Sequence, residues 1–201
     1  DDILGTLANI CEQSGNECVI STGDRDSLQL ISDRTRVLLA ATKMGHPEII
    51  NYTKEALFEK YGLIPEEMIE LKALMGDSSD NIPGVAGVGP KTATDLLQKF
   101  GSLDGVYANL NDASIRPKLR EKLENGREDA YLSYDLATIR CEAPIDFAPM
   151  DAVIRPYNKP ELYILFVKLE FVKLIDRYGL RGAGEVVKQA EKTFEPLSCL
   201  E

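Results

Sequence analysis

Residues 76–94 read GDSSDNIPGVAGVGPKTAT, and this stretch constrains the fold more than any other part of the sequence. Two aspartates three residues apart, Asp77 and Asp80, follow an apolar helical pattern that ends at Gly76. The run GVAGVG then leads into Pro90, a residue well suited to the first position of a helix. Apolar residues recur beyond it at helical spacing until Gly101. The pattern predicts two short helices joined by a glycine-rich connection, a helix-hairpin-helix.

The glycine-rich run also predicts a phosphate-binding loop. Backbone N–H groups of Gly87, Val88 and Gly89 would lie at the start of the second helix, where anions bind well. Lys91 and Thr92 add a positive charge and a hydroxyl group. A loop that binds phosphate in this way makes no contact with base edges, so it predicts nucleic-acid binding without sequence specificity. The structural alternative is a tight connection between two core helices.

Three pairs of aspartates fall where predicted elements begin or end. Each pair has a structural explanation, because aspartates cap helices and form turns. Carboxylates that crowd together repel one another unless cations neutralise them, and hard divalent cations prefer oxygen ligands. Two such ions can clamp a phosphoryl group. The pairs are Asp1 with Asp2, Asp24 with Asp26, and Asp77 with Asp80.

Hydrophobic periodicity predicts an α/β layer followed by a helical region. A helix begins at the first residues and ends at Gly15, and a buried strand covers residues 18–22. Further segments are predicted as a strand at 37–39, helices at 53–61, from Pro65, from Pro90, at 117–125, at 128–137 and from about 160, and a polar turn around His46. The expected domains are residues 1–75 and 76–181, with a tail or linker at 182–201.

The formal net charge of −10 argues against a general polyanion-binding protein. The charge is uneven, because residues 1–80 carry −8 and residues 81–127 carry +2. An acidic part suited to cations is thus followed by a basic part suited to phosphates. The four scattered cysteines, with no signal peptide or membrane-spanning run, predict reduced thiols in a cytoplasmic protein.

Three segments together resemble the 5′–3′ exonuclease, or flap-endonuclease, domain of bacterial DNA polymerase I. They are DDILGTLA, STGDRDSLQLISD and LKALMGDSSDNIPGVAGVGPKTATDLLQKFG, and the resemblance extends over roughly residues 1–180. It implies a partial PIN-like α/β nuclease core, two Mg²⁺ or Mn²⁺ ions held by aspartates, and a helix-hairpin-helix that holds duplex DNA. It also implies a K⁺ ion held largely by carbonyl groups of the hairpin.

The resemblance also implies roles for individual carboxylates. Asp1, Asp2 and Asp24 would be the catalytic group, nearest the metal ion shared with the scissile phosphate. The second ion would be held by Asp26, Asp77 and Asp80, some of them through water. The DNA-binding positions would be those of the hairpin, Gly87, Val88, Gly89, Lys91 and Thr92.

The sequence departs from this family in lacking the family's N-terminal half, which carries further metal-binding carboxylates. The chain is expected to be a fragment of a longer enzyme, one of two polypeptides, or a degenerate relative. Residues from Gly182 resemble the linker that leads to a polymerase. The expected function is two-metal hydrolysis of flap or nicked DNA, with reduced or no activity in this chain alone. The alternatives are a non-catalytic duplex-DNA-binding module and, more distantly, a PIN domain acting on RNA.

Overall fold

The computed structural model describes residues 1–43 and 45–184. Within these ranges the chain forms three strands, nine α-helices and two 3-10 helices. In chain order the strands and α-helices are α1 (Asp2–Gln13), β1 (Cys18–Thr22), β2 (Thr35–Lys43), β3 (His46–Tyr52), α2 (Lys54–Tyr61), α3 (Glu67–Met75), α4 (Pro90–Phe100), α5 (Leu103–Ala108), α6 (Pro117–Asn125), α7 (Arg127–Ala137), α8 (Lys159–Lys168) and α9 (Val172–Arg177). The 3-10 helices are Arg25–Leu30 and Pro149–Ala152.

The three strands form one mixed sheet in the order β1, β2, β3. β1 runs parallel to β2 with Ile20 opposite Val37, and β3 is antiparallel to β2. The predicted polar turn around His46 is shorter than expected, because Gly45 lies in a turn but His46 is already the first residue of β3. Most of β3 is exposed on both faces, so its sequence lacks the apolar alternation that marks a half-buried strand.

One hydrophobic core lies against this sheet. The side chains that build it come from α1, the first 3-10 helix, the strands and α2. They are Ala8, Ile20, Leu28, Ile31, Val37, Leu39, Tyr52 and Leu57, all buried. The α/β layer predicted from the sequence is confirmed.

A second core is helical and follows directly in the chain. Leu74 on α3, Leu97 on α4 and Leu123 on α6 are fully buried within it. Helix α3 begins two residues later than predicted, because Pro65 lies in the turn whose carbonyl accepts the Met68 N–H. Helix α5 was not predicted. It begins at the side-chain cap Ser102, whose Oγ accepts the Gly105 N–H.

Residues 1–151 form one compact unit, and the described residues from 152 to 184 belong to a second. Both cores lie in the first unit. The described part of the second unit contains α8 and α9, with the Phe166 ring tilted against Phe171 and edge-on to Tyr178 at centroid distances of 6.1 and 5.9 Å. Nearly all of the expected tail at 182–201 lies outside the described residues. No helix in the described ranges is long and apolar enough to cross a membrane.

The connection between α3 and α4 depends on close backbone contact. Gly76 ends α3 with φ +73°, and Gly84 has φ +60°. An added Cβ on Gly84 would lie 2.2 Å from the Gly76 nitrogen. The Gly84 N–H donates to the buried Ser133 Oγ at 2.9 Å, which ties the loop to α7. Only glycine allows the two loop segments to approach this closely.

We expect Gly84→Ala to destabilise the chain far more than Gly101→Ala. Both glycines have positive φ, but Gly101 has no atom within 4 Å of an added Cβ. The left-handed backbone alone costs about 1–2 kcal/mol for alanine, which is the expected loss at residue 101. At residue 84 the backbone clash raises the loss above about 3 kcal/mol. Urea-induced unfolding of both variants measures the difference, and equal losses would contradict the close approach.

Candidate functional site

Three separate elements deliver aspartates to one edge of the first unit. Asp1 directly precedes α1. Asp24 and Asp26 follow the end of β1, and Asp77 and Asp80 follow the end of α3. The first 3-10 helix packs on α3, which brings the second and third pairs together.

The carboxylates form two groups that share one member. Oxygen atoms of Asp1, Asp24 and Asp26 lie within 4.8 Å of one another, and so do those of Asp26, Asp77 and Asp80. A pocket of about 220 Å³ lies between Asp1, Asp24, Asp26 and Asp80. Carboxylate oxygens at this spacing are the donors that Mg²⁺ and Mn²⁺ prefer, so the first group fits a divalent cation.

Hydrogen bonds to the backbone fix the position of Asp24. Its N–H donates to Thr22 Oγ1 at 3.0 Å, and its Oδ1 accepts the Asp26 N–H at 3.0 Å. Asp24 is thereby the N-cap of the first 3-10 helix. Burial raises the pKa of Asp26, an effect that the nearby Lys72 ammonium opposes.

A tight loop holds the third pair. Asp77 and Ile82 exchange two backbone hydrogen bonds of 2.9 and 2.8 Å. Within this loop Asp77 Oδ1 accepts the Ser79 N–H at 2.9 Å and the Ser79 hydroxyl at 2.5 Å. These bonds from Ser79, together with Lys72, lower the pKa of Asp77 to about 2.

Lys72 is a site residue that the sequence analysis missed. Its Nζ lies 2.5 Å from Asp26 Oδ1, 2.9 Å from Asp77 Oδ2 and 3.1 Å from Asp80 Oδ2. Burial tends to lower the pKa of Lys72, but the three carboxylates hold it above its usual value. Lysines are common in the last turn of a helix because they complement the helix dipole. The sequence alone therefore did not distinguish Lys72 from a lysine with that structural role.

Asp2 belongs to neither carboxylate group. Its Oδ1 accepts the Arg140 N–H at 2.9 Å. Thr6 Oγ1 likewise accepts the Ala143 N–H, and the Asn9 side chain donates to the Cys141 carbonyl. These contacts fasten residues 139–143 along α1. The predicted catalytic and metal-binding role of Asp2 stays a prediction, and the structure gives this side chain an anchoring contact.

The hairpin presents some of its predicted DNA-binding residues and buries one. Gly87, Gly89 and Lys91 are exposed, and Thr92 is half-buried. Val88 is 4% exposed and packs in the helical core, and its N–H donates to the Val85 carbonyl at 3.0 Å. The Val88 N–H is thus engaged within the protein, whereas Gly87, Gly89 and the first turn of α4, whose early N–H groups have no partner within the helix, lie at the surface.

A basic groove adjoins the hairpin. It has a volume of about 540 Å³, and α4 and α6 form its walls. Lys122 crosses from α6 to the hairpin, where its Nζ donates to the Gly87 carbonyl at 2.8 Å. The basic side chains of the groove are Lys91, Lys99, Arg116, Lys118 and Lys122.

Comparisons with known proteins agree with this geometry. Residues 1–62 match the family described as 5′-3′ exonuclease, N-terminal resolvase-like domain, and residues 63–160 match 5′-3′ exonuclease, C-terminal SAM fold. The chain is 43% identical over 188 residues to DNA polymerase I of Caldicellulosiruptor bescii, covering 94% of this chain and 22% of the relative. It is 44% identical over 179 residues to DNA polymerase I of Bacillus subtilis, covering 89% of this chain and 20% of the relative.

A solved structure supports the fold. The bacteriophage T5 flap endonuclease, in a pseudo-enzyme–product complex with DNA and metal ions, superposes with a TM-score of 0.55 at 22% identity. The superposition covers 69% of this chain and 50% of the T5 chain. The chain spans about a fifth of the length of its polymerase relatives. It belongs to the 5′-3′ exonuclease family and corresponds to part of the exonuclease domain of DNA polymerase I.

Proposed function

We propose that this chain forms part of a metal-dependent 5′ nuclease that hydrolyses phosphodiester bonds in flap or nicked duplex DNA. The observation that carries the proposal is the pair of carboxylate groups joined through Asp26. Aspartates from three elements reach one pocket, although each additional carboxylate there raises the electrostatic cost. Such an arrangement is typical of a site that receives cations.

The proposed ions are Mg²⁺ or Mn²⁺. Asp1, Asp24 and Asp26 would hold one ion, and Asp26, Asp77 and Asp80 would hold the second. Bound there, such ions supply positive charge at the scissile phosphate and increase the acidity of water. The carboxylates of this chain position that charge and do not themselves attack the substrate.

The hairpin and the basic groove are proposed to bind the duplex backbone. Lys91 and Thr92 contribute an ammonium and a hydroxyl group beside the exposed N–H groups at the start of α4. The groove extends the basic surface from the hairpin to α6. All of these groups recognise phosphate oxygens, so the proposed binding does not depend on base sequence. The K⁺ site at the hairpin carbonyls remains a proposal, and one such carbonyl, that of Gly87, accepts a hydrogen bond from Lys122.

The second candidate function is a duplex-DNA-binding module without catalysis. Two observations favour it. The Asp2 carboxylate is bonded to the backbone of Arg140, and the Lys72 ammonium lies among the three carboxylates of the second group. The relatives reported above are DNA polymerases that are longer than this chain. We propose that their remaining parts complete the site and act as partners of this chain.

We expect Mg²⁺ to stabilise the chain and Asp24→Asn to remove most of that stabilisation. Asparagine keeps the N-cap of the 3-10 helix but removes one charge. Because the substitution relieves repulsion among the carboxylates, the Tm of Asp24→Asn in EDTA should equal or exceed that of the wild type. Saturating Mg²⁺ at about 100 times its Kd adds about 2.7 kcal/mol to the wild type. Thermal unfolding with Mg²⁺ and with EDTA tests this, with the exposed Asp33→Asn as the control.

We expect the chain to cleave 5′-labelled flap DNA in Mg²⁺ but not in EDTA, at a rate well below that of a complete enzyme. The lower rate is expected because the Lys72 ammonium lies among the three carboxylates of the second group. Asp24→Asn should abolish cleavage, since it replaces a charged ligand of the first group with a neutral amide and keeps the N-cap of the 3-10 helix. The product length on a denaturing gel is the readout.

The two candidate functions give different results in this assay. Cleavage that requires Mg²⁺ and disappears in Asp24→Asn supports the nuclease. If the chain binds the flap but leaves it intact at every Mg²⁺ concentration, the binding module is correct.

We expect Lys91→Met and Lys118→Met to weaken duplex binding to a similar extent on unrelated sequences. Each lost phosphate contact should reduce the slope of log affinity against log salt by about 1. Lys54→Met is the matched control, because Lys54 pairs with Asp33 and is absent from the groove. Fluorescence anisotropy at several salt concentrations measures the slope, and an affinity that does not change with salt would refute the proposed surface.

A further inference from the structure

The second carboxylate group already contains a cation supplied by the chain. Lys72 Nζ lies within 3.1 Å of one oxygen from each of Asp26, Asp77 and Asp80. These are the same three side chains whose oxygens lie within 4.8 Å of one another. The ammonium is therefore bonded to all three carboxylates that would bind a divalent ion.

This contact differs from an ordinary surface ion pair. The Lys72 side chain is 12% exposed, whereas Lys54, which pairs with a single aspartate, is 42% exposed. Surface pairs contribute little because water screens both charges. Around Lys72 three carboxylates share one partly buried ammonium, so the interaction is stronger than that of a surface ion pair. Three negative charges and one positive charge leave an excess of two negative charges. That excess makes the group attractive to a further cation.

The chain also gives Lys72 room to move. A pocket of about 170 Å³ borders the Lys72 side chain, and its other walls include Gln29, Tyr61, Met68 and Met75. Lysine carries its ammonium on a flexible four-carbon stem, which allows the charge to shift by several ångströms without a change in the backbone. The carboxylates are more constrained, because Asp77 is fixed by its bonds from Ser79.

We propose that Lys72 is a resident cation of the second metal site, which offsets one of the three negative charges there when no metal ion is bound and competes with the second divalent ion. A divalent ion and an ammonium held by the same three carboxylates repel each other, so the second ion binds only as Lys72 leaves. Lys72 therefore lowers the affinity for the second ion and has a smaller effect on the first. The inference rests on the proposed metal-dependent function, whose ligands it uses.

Titration of the 201-residue chain with Mn²⁺, followed by electron paramagnetic resonance of the free ion, tests the proposal without DNA or cleavage. In the wild type we expect one tighter and one weaker Mn²⁺ ion. In Lys72→Met the Kd of the weaker ion should fall at least about tenfold, because the competing charge is gone. In Lys72→Arg, which keeps the charge, the second ion should stay weak. Far-ultraviolet circular dichroism checks that each variant is folded.

The outcomes separate this inference from the proposed function. If Lys72→Met binds the second ion no more tightly than the wild type, the competition is refuted. The first ion and its loss in Asp24→Asn would then still support the proposed function. If neither the wild type nor Lys72→Met binds Mn²⁺ at all, the metal-dependent function and the inference both fail.

A measurement on the wild type does not depend on the folding of a variant. Reductive methylation followed by mass spectrometry reports how accessible each lysine amine is. We expect Lys72 to react slowly in EDTA and several-fold faster in saturating Mn²⁺, because displacement frees its amine. Lys54 is the internal control, since it lies outside the site. Equal Lys72 reactivity in the two conditions would overturn the proposal.

Discussion

Electrostatic repulsion among five carboxylates is the constraint on which the candidate site depends. Three elements supply these side chains, which form two groups, and within each group the carboxylate oxygens lie within 4.8 Å of one another. The five residues are Asp1, Asp24, Asp26, Asp77 and Asp80. Two of these side chains also form local structure, since Asp24 caps a 3-10 helix and Asp77 closes a turn. Those hydrogen bonds help to hold the charges in place, and the Lys72 ammonium offsets part of the repulsion. The fold itself therefore brings the five carboxylates together.

One loop connects the acidic group to the basic surface. Residues 76–89 begin with the Asp77 turn and end at the N-cap of α4. Val85 and Val88 are buried in the helical core, and Gly84 is bonded to Ser133. A loop anchored at so many points holds its two ends at a fixed separation. A nuclease needs such a connection, because its grip on the duplex determines which phosphate reaches the metal ions.

Local sequence signals predicted much of the fold and the carboxylate set. The helix that begins at Pro90 and ends at Gly101 is confirmed because both boundaries are set by short-range chemistry. Strand β3 was missed, since it forms mainly by pairing with β2 and buries little. The contact of Lys72 with Asp26 spans 46 residues and leaves no local signal. Asp2 and Val88 show the same limit, because spacing does not reveal whether a side chain turns toward the site or the core.

The uneven distribution of charge bears on the proposed binding of DNA by an acidic chain. Residues 1–80 carry a net charge of −8, to which the five carboxylates of the two groups contribute, and residues 81–127 carry +2 and include the groove beside the hairpin. Phosphates would approach the groove because electrostatic fields fall off within about 10 Å at moderate salt, so local charge outweighs net charge. At the two carboxylate groups the same phosphates would be repelled unless cations were bound there. On the proposed function, duplex DNA would therefore be attracted at the groove, and a phosphate would be admitted at the carboxylates only when divalent ions offset their negative charge.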